Sequence, residues 1–226
     1  MMKLLRRSRD LGIGGLLARW YNKNTKQHRM AEMKGYAEEV ASHIQNGAFV
    51  LEVGPGPGYL SIELAKLGGY KITGMDISQD FVEIARRNAK EADVTVDFQQ
   101  GNVSEIPFME NKFNFIICTA AFKSFKEPVK ALNEMYRVLK PGGTALIIDM
   151  NRNATDQQLL DFMNENGLKG LGKFRMNLTF KYLLRKGAYT KNNFMDLISK
   201  TSFKNYEIKE EAISLNVYLR KQLIFP

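Results

Sequence analysis

The segment Leu51-Glu52-Val53-Gly54-Pro55-Gly56-Pro57-Gly58-Tyr59-Leu60 constrains this chain more than any other, because an apolar strand runs into a glycine turn and out into a helix. Gly54, Gly56 and Gly58 admit backbone angles that other residues avoid, and they let a ligand come close to the main chain. Pro55 and Pro57 stiffen the turn and remove two backbone donors. A dinucleotide fingerprint would need glycine where Tyr59 stands, and a pyrophosphate would want the N–H groups that the prolines lack. Glu52 sets a carboxylate at the strand's end, where it repels phosphate and suits a cation such as an amino-acid ammonium.

Around this turn, residues 48–150 alternate apolar strands with amphipathic helices, the pattern of a parallel sheet with helices on both faces. Strands are expected at 49–53, 70–75, 94–98, 113–118 and 144–150. Helices are expected at 60–67, from a Ser78 cap to residue 91, and at 129–139, the last ended by Lys140-Pro141-Gly142-Gly143. Residues 203–213 and 215–220 alternate strand-wise and are expected to pair as a hairpin at the sheet edge. Residues 16–44 read as helical with a break around Tyr21, Asn22 and Asn24. Residues 156–200 read as helices, among them 170–186, where Leu171, Phe174, Leu178 and Tyr182 recur at helical spacing. The expected organisation is a helical arm or lid over 1–46 and one domain over 47–226, with an insert at 151–200 on its substrate side.

A hydrophobic fraction of 44% over 226 residues suffices for a packed core. No apolar run approaches the roughly 20 residues of a membrane span, so a cytoplasmic location is expected. The lone cysteine, Cys118, lies in the apolar run 113–120 and is expected to be buried; neither a disulfide nor a metal site is expected. The net charge of +9 belongs to the flanks: residues 1–30 hold eight Lys or Arg against Asp10 alone. Residues 166–195 hold Lys169, Lys173, Arg175, Lys181, Arg185, Lys186 and Lys191 with no acid among them. Such runs suit an anionic partner and, equally, a solvated face.

Three features coincide: Glu52 to Gly58 after the first strand, Asp76 after the second, and Gly101-Asn102-Val103 after the third. With Glu134-Met135-Tyr136-Arg137-Val138-Leu139-Lys140-Pro141-Gly142-Gly143 before the fifth strand, the chain resembles class I S-adenosylmethionine-dependent methyltransferases over residues 48–150. Its nearest likeness is to the small-molecule, ubiquinone-biosynthesis-like (type 11) subgroup. The resemblance implies an α/β, Rossmann-like three-layer sandwich. Its seven-stranded sheet is mostly parallel with an antiparallel last strand, and a helical lid and a helical insert are added to it. The implied cofactor is S-adenosyl-L-methionine, leaving as S-adenosyl-L-homocysteine.

By the same resemblance Glu52, Gly54, Gly56 and Gly58 surround the cofactor's amino-acid end, Asp76 accepts from the ribose hydroxyls, and Asn102 and the Val103 N–H read the adenine. Ile77 and Val103 flank the ring, although core packing explains both apolar residues as well. Asn102 departs from the aspartate more frequent in the family. Thr119 begins the stretch Thr119-Ala120-Ala121-Phe122-Lys123, which lines the methyl-donor end and lacks the histidine often found there. Tyr21 and Arg29 reach the donor from the lid; the alternatives are a hydrophobic anchor and a surface charge. Tyr21 and His28 are the candidate catalytic groups, and His43 is read as structural. Phe162, Met163, Leu171, Phe174, Met176 and Phe180 are available as apolar lining. The expected reaction is in-line methyl transfer to a small-molecule acceptor, of anionic or amphiphilic character, driven mainly by positioning. Methylation of RNA or DNA is the second reading. A non-catalytic cofactor-binding protein, or a peripheral membrane protein using 1–17 as a basic arm, is the third.

Overall fold

The structure is a computed structural model that describes residues 12–165 and 185–223. Seven strands form one sheet: β1 (Phe49–Val53), β2 (Lys71–Asp76), β3 (Asp97–Gln100), β4 (Phe113–Thr119), β5 (Leu139–Met150), β6 (Asn205–Glu211) and β7 (Ser214–Arg220). Their order is β3-β2-β1-β4-β5-β7-β6, and β7 runs antiparallel to both of its neighbours. The seven-stranded, mostly parallel sheet with an antiparallel last strand is therefore as expected. The strand order reverses between β1 and β4, so the crevice outside their carboxyl ends is where ligands bind in open α/β sheets.

Side chains along each strand alternate between two cores, as the period of two dictates. Leu51, Val53, Ile116, Cys118, Ala145, Ile147, Val217 and Leu219 pack on one face against α5 (Pro128–Val138) and α7 (Lys191–Ser199). On the other face Val50, Ile72, Phe115, Ile117, Leu146, Ile148 and Tyr218 pack against α2 (Met30–Ser42), α3 (Tyr59–Leu67) and α4 (Gln79–Glu91). Burial on both faces explains why the parallel strands read as near-continuous apolar runs.

The structure corrects the sequence reading at four places. The N-terminal helical segment is not broken at 21–24: α1 (Gly15–His28) runs through them, and the junction with α2 falls at Arg29. Asparagine is a weak helix former rather than a breaker, and burial of Ala18 and Thr25 on one face of α1 carries the helix past it. The third strand lies later, at Asp97–Gln100, where pairing with Thr73 to Asp76 fixes its register. Leu139 to Gly143 belongs to β5 instead of a helix-ending loop: Leu139 pairs with Phe113 and Thr144 with Phe115, so the four residues 140–143 bulge against Asn114 alone. The helix expected at 129–139 runs from Pro128 to Val138. The expected helix at 170–186, with Leu171, Phe174, Leu178 and Tyr182, lies outside the described residues. α6 (Asp156–Glu165) and α7 flank it in the chain.

A small apolar cluster packs α1 on the domain, Ala18 with Phe81 and Ile84 and Tyr21 edge-on to Phe81 at 5.7 Å, and the Asn22 amide oxygen accepts from the Tyr59 hydroxyl and the Asn88 amide, each at 3.0 Å. At the start of α1 the Ser78 hydroxyl donates to the Ile13 carbonyl at 2.6 Å, and the Gly15 N–H donates to Asp80 at 2.6 Å.

Candidate functional site

The carboxyl ends of the central strands are stitched together by main-chain bonds. The Gly54 N–H donates to the Met75 carbonyl and the Gly101 N–H to the Asp76 carbonyl, each at 2.9 Å. The glycine turn is thereby held at fixed distance from Asp76. Gly58, at φ 81°, starts α3, and a Cβ there would lie 2.6 Å from Phe98 Cζ, so only glycine lets this turn close. Gly56 differs in kind: it lines the cleft, and a Cβ there would meet only Tyr21 Cε1, in ordinary contact at 3.8 Å.

Glu52 is 2% exposed. Its Oε2 accepts from the Ser61 hydroxyl at 2.5 Å and from the Ser61 N–H at 3.1 Å, which leaves Oε1 for a further donor. Burial pushes its carboxyl up to about 7 against those two bonds, and the nearby charge of Asp76 adds to the rise. Asp76 accepts from the Gly56 N–H at 3.0 Å through Oδ2 and from the Ser78 N–H at 2.8 Å through Oδ1. Burial raises its carboxyl too, and backbone N–H groups oppose the rise. Ser78 caps α4 by accepting from Phe81, so Asp76 is not the helix cap. Each Asp76 oxygen keeps one lone-pair direction open beyond the bonds it makes.

Across the turn stands the C-terminal half of α1, followed by Arg29. The Arg29 guanidinium is held by both oxygens of Glu32, at 2.7 and 2.9 Å, and its Nη1 donates to the Tyr21 hydroxyl at 2.9 Å. Tyr21, Thr25, Arg29, Met33, Glu52, Gly54, Pro55, Gly56, Tyr59 and Thr119 line one narrow cleft of about 40 Å³. The structure thus brings Tyr21, Arg29, Glu52, Gly54, Gly56 and Thr119 together, with Asp76 bonded to the cleft's Gly56 wall.

Other expected residues lie apart from that cleft. Ile77 is half-buried, and its Cγ2 is 2.9 Å from where a Cβ on Gly12 would stand, so the chain leading into α1 passes over it. The exposed Asn102 turns its amide oxygen to the Ser104 N–H at 2.9 Å, capping a short turn that contains the buried Val103. His28 is exposed at the last position of α1 and lines no part of the cleft. His43 stacks on Phe115 at 5.8 Å and pairs with Glu39 at 3.0 Å. Phe122 is fully buried among Phe125, Tyr189 and Phe194 and does not line the cleft. Met163 is buried on α6 and Phe162 half-buried, whereas Leu171, Phe174, Met176 and Phe180 lie outside the described residues. Among the described residues no His, Cys, Asp and Glu group could hold a metal ion, and no helix is long and apolar enough to cross a membrane.

Two features escaped the sequence reading. Thr25 is 2% exposed and its hydroxyl has no hydrogen-bond partner among the described residues. It lies four residues after Tyr21 and four before Arg29, a spacing that puts all three on one helix face. Placing a break at 21–24 hid that signal. Asp149, at the end of β5, accepts from the Lys123 ammonium at 2.9 Å and from the Lys123 N–H at 2.9 Å. Nothing in the sequence marks a pair 26 residues apart.

An amino-acid-bearing cofactor fits these residues. An unpaired buried hydroxyl, a buried carboxyl with a free oxygen and a glycine that opens into the cleft are each incomplete without a polar ligand.

Residues 51–147 match the sequence model of a family described as methyltransferase domain. The demethylmenaquinone methyltransferase of Listeria welshimeri is 36% identical over 112 residues, 48% of this chain and 48% of that protein. Its counterpart in Chlorobaculum tepidum is 31% identical over 135 residues, 59% of this chain and 54% of that protein. The chain thus spans about half the length of the curated relatives it matches. A putative S-adenosyl-L-methionine-dependent methyltransferase of Methanococcus maripaludis shares the fold with a TM-score of 0.74 and 24% identity, over 91% of this chain and 92% of that one. The resemblance to class I methyltransferases is borne out on the stretch that carries the glycine turn, Asp76 and Asn102, and the cofactor it implies is S-adenosylmethionine.

Proposed function

We propose that this chain is an S-adenosylmethionine-dependent methyltransferase acting on a small, quinone-like acceptor. The observation that carries the reading is the cleft in which the lid residues Tyr21, Thr25 and Arg29 face Glu52 and Gly56, with Asp76 bonded to Gly56 behind it. Glu52 Oε1 is the acceptor for an ammonium, and Thr25 and Arg29 supply donors for a carboxylate. Asp76 supplies lone pairs for ribose hydroxyls, while Ile77, Asn102 and Val103 form the adenine end. Bound there, the cofactor supplies a methyl group already activated on a sulfonium, which leaves the protein the work of orientation.

The chain's own residues do that work by excluding water. The cleft, at about 40 Å³, is too small for a nucleoside-sized ligand, so the cofactor enters when α1 moves outward, parting the small Ala18, Phe81 and Ile84 cluster and the bonds of Asn22 to Tyr59 and Asn88. Closing α1 again brings Tyr21 and Arg29 down as a hydrogen-bonded unit. Lys123, four residues past Thr119, is held by the Asp149 carboxylate and the Ala120 carbonyl, so it offers an acceptor oxygen a donor from a paired ammonium and not an unbalanced charge. The quinone-like class comes from the names of the matched relatives. Incubating the full chain with methyl-labelled cofactor and a panel of demethylated naphthoquinols tests it: labelled product supports the proposal, and none across the panel removes this acceptor class.

A further inference from the structure

The face of α1 that points away from the cleft is apolar where a domain surface is normally polar. Leu16 is 82% exposed, Trp20 60%, Leu17 57%, and Ile13 just before the helix 38%. The other large apolar side chains exposed among the described residues, Leu67, Met109, Met195, Tyr206 and Leu223, are scattered singly and need no partner. At roughly 100° per residue, Leu16, Trp20 and Leu17 fall within one arc of about 100°, opposite the buried Ala18 and Thr25. Arg19, Lys23 and Lys26 lie along one border of that arc, and the helix contains no acidic residue. Lys26 reaches Glu91 only at 3.8 Å, with both side chains mostly exposed, so its charge is available.

We infer that this face of α1 is a docking surface for an anionic lipid bilayer. A tryptophan and two leucines beside a cationic stripe match the membrane interface, where the indole sits at headgroup depth and the cations meet anionic lipid. The chain enters α1 from a stretch whose Lys3, Arg6, Arg7 and Arg9 outnumber Asp10, which adds attraction of the same sign. A nucleic acid would use the cations and leave Leu16, Leu17 and Trp20 in water. A second copy of this chain would bring an equally cationic face against them. The opposite face of the same helix carries Tyr21 and Thr25 into the cleft, so a lid that leans on a bilayer opens toward molecules dissolved in it. Docking stands apart from methyl transfer, since it requires only the outer face of α1.

Trp20 is the chain's single tryptophan, so intrinsic emission reports directly on this surface. The full chain is titrated with phosphatidylcholine vesicles containing about 30% phosphatidylglycerol and, separately, with pure phosphatidylcholine, and both mixtures are floated on a density gradient. The expected result is a blue shift and co-flotation with the anionic vesicles, weakened by salt, with at least about tenfold less binding to pure phosphatidylcholine. Leu16→Ser with Leu17→Ser, and independently Arg19→Glu with Lys23→Glu, should each lower vesicle affinity about tenfold while leaving the melting temperature and S-adenosylhomocysteine affinity unchanged. Emission that is already blue-shifted and indifferent to vesicles, dimers by light scattering that the double serine variant abolishes, or vesicle binding that survives both pairs would each overturn the inference. The vesicle result and the cofactor affinity are read separately, so failure of one does not imply failure of the other.

Discussion

Replacing Glu52 by Gln should strengthen the empty protein and weaken the loaded one, with both effects set by pH. The side chain is 2% exposed and its carboxyl is held near 7, against 4.5 for an ordinary glutamate. A raised acid is most comfortable protonated. Its contribution is therefore fully present below the unfolded value of 4.5 and is lost as pH climbs through about 7. At about 1.4 kcal/mol per pH unit, ionising it in the folded state costs about 2 to 3 kcal/mol between about pH 5 and pH 8. Gln keeps the shape, and its amide oxygen accepts from Ser61 without ever ionising. Urea denaturation should show the two proteins nearly equal at about pH 5 and Glu52→Gln more stable by about 2 kcal/mol at about pH 8. Calorimetric titration with S-adenosylhomocysteine should show the reverse order. Wild-type affinity should rise about tenfold per pH unit up to about 7 and then level off, because an ammonium partner selects the ionised carboxylate, whereas the Gln variant should be weaker and nearly flat. A stability difference that does not change with pH, or parallel affinity curves, would refute the reasoning.

Thr25→Val removes a buried hydroxyl that has no partner, so the apo protein should gain about 1 kcal/mol while S-adenosylhomocysteine affinity falls about tenfold; Thr25→Ser should retain affinity. Loss of stability in the valine variant would show that the hydroxyl is satisfied. Gly58→Ala drives a Cβ to within 2.6 Å of Phe98 Cζ at a backbone angle of φ 81° and should cost about 3 kcal/mol in denaturation, with a loss under about 1 kcal/mol speaking against the rigid turn. Asp149→Asn strands the Lys123 ammonium and should cost about 3 kcal/mol, most of which Lys123→Met on the same background should restore. A double variant no better than the single one would place the cost elsewhere.

Residues that obey local rules were legible in the sequence, and those fixed by distant contacts were not. Parallel strands buried on both faces announce themselves as apolar runs, and Ser78 was recognisable as a cap because capping acts over three residues. Strand three was misplaced because Val94 and Val96 have strand composition while ladder pairing to β2 picks Asp97 to Gln100. The bulge at 140–143 looked like a turn because Pro-Gly-Gly carries the same signal for either, and the pairing with Phe113 and Phe115 decides between them. At the site, Glu52 and the glycine turn share one short stretch of chain. The Gly56 to Asp76 bond could not be read, being a contact across 20 residues that gives Asp76 a second task in holding the turn. Asp76→Ala would therefore perturb the turn as well as any ligand, which makes it a poor control for binding.

The central claim, that the cleft between α1 and the glycine turn receives S-adenosylmethionine, is tested most directly by calorimetric titration of the full wild-type chain with S-adenosylhomocysteine near pH 6 in two buffers of different ionisation enthalpy. The prediction is one site per chain with release of most of one proton on binding, as the Glu52 carboxyl at about 7 gives up its hydrogen to accept the ammonium. Saturable binding with no proton release would contradict the role of Glu52, and no binding at millimolar ligand would contradict the site itself.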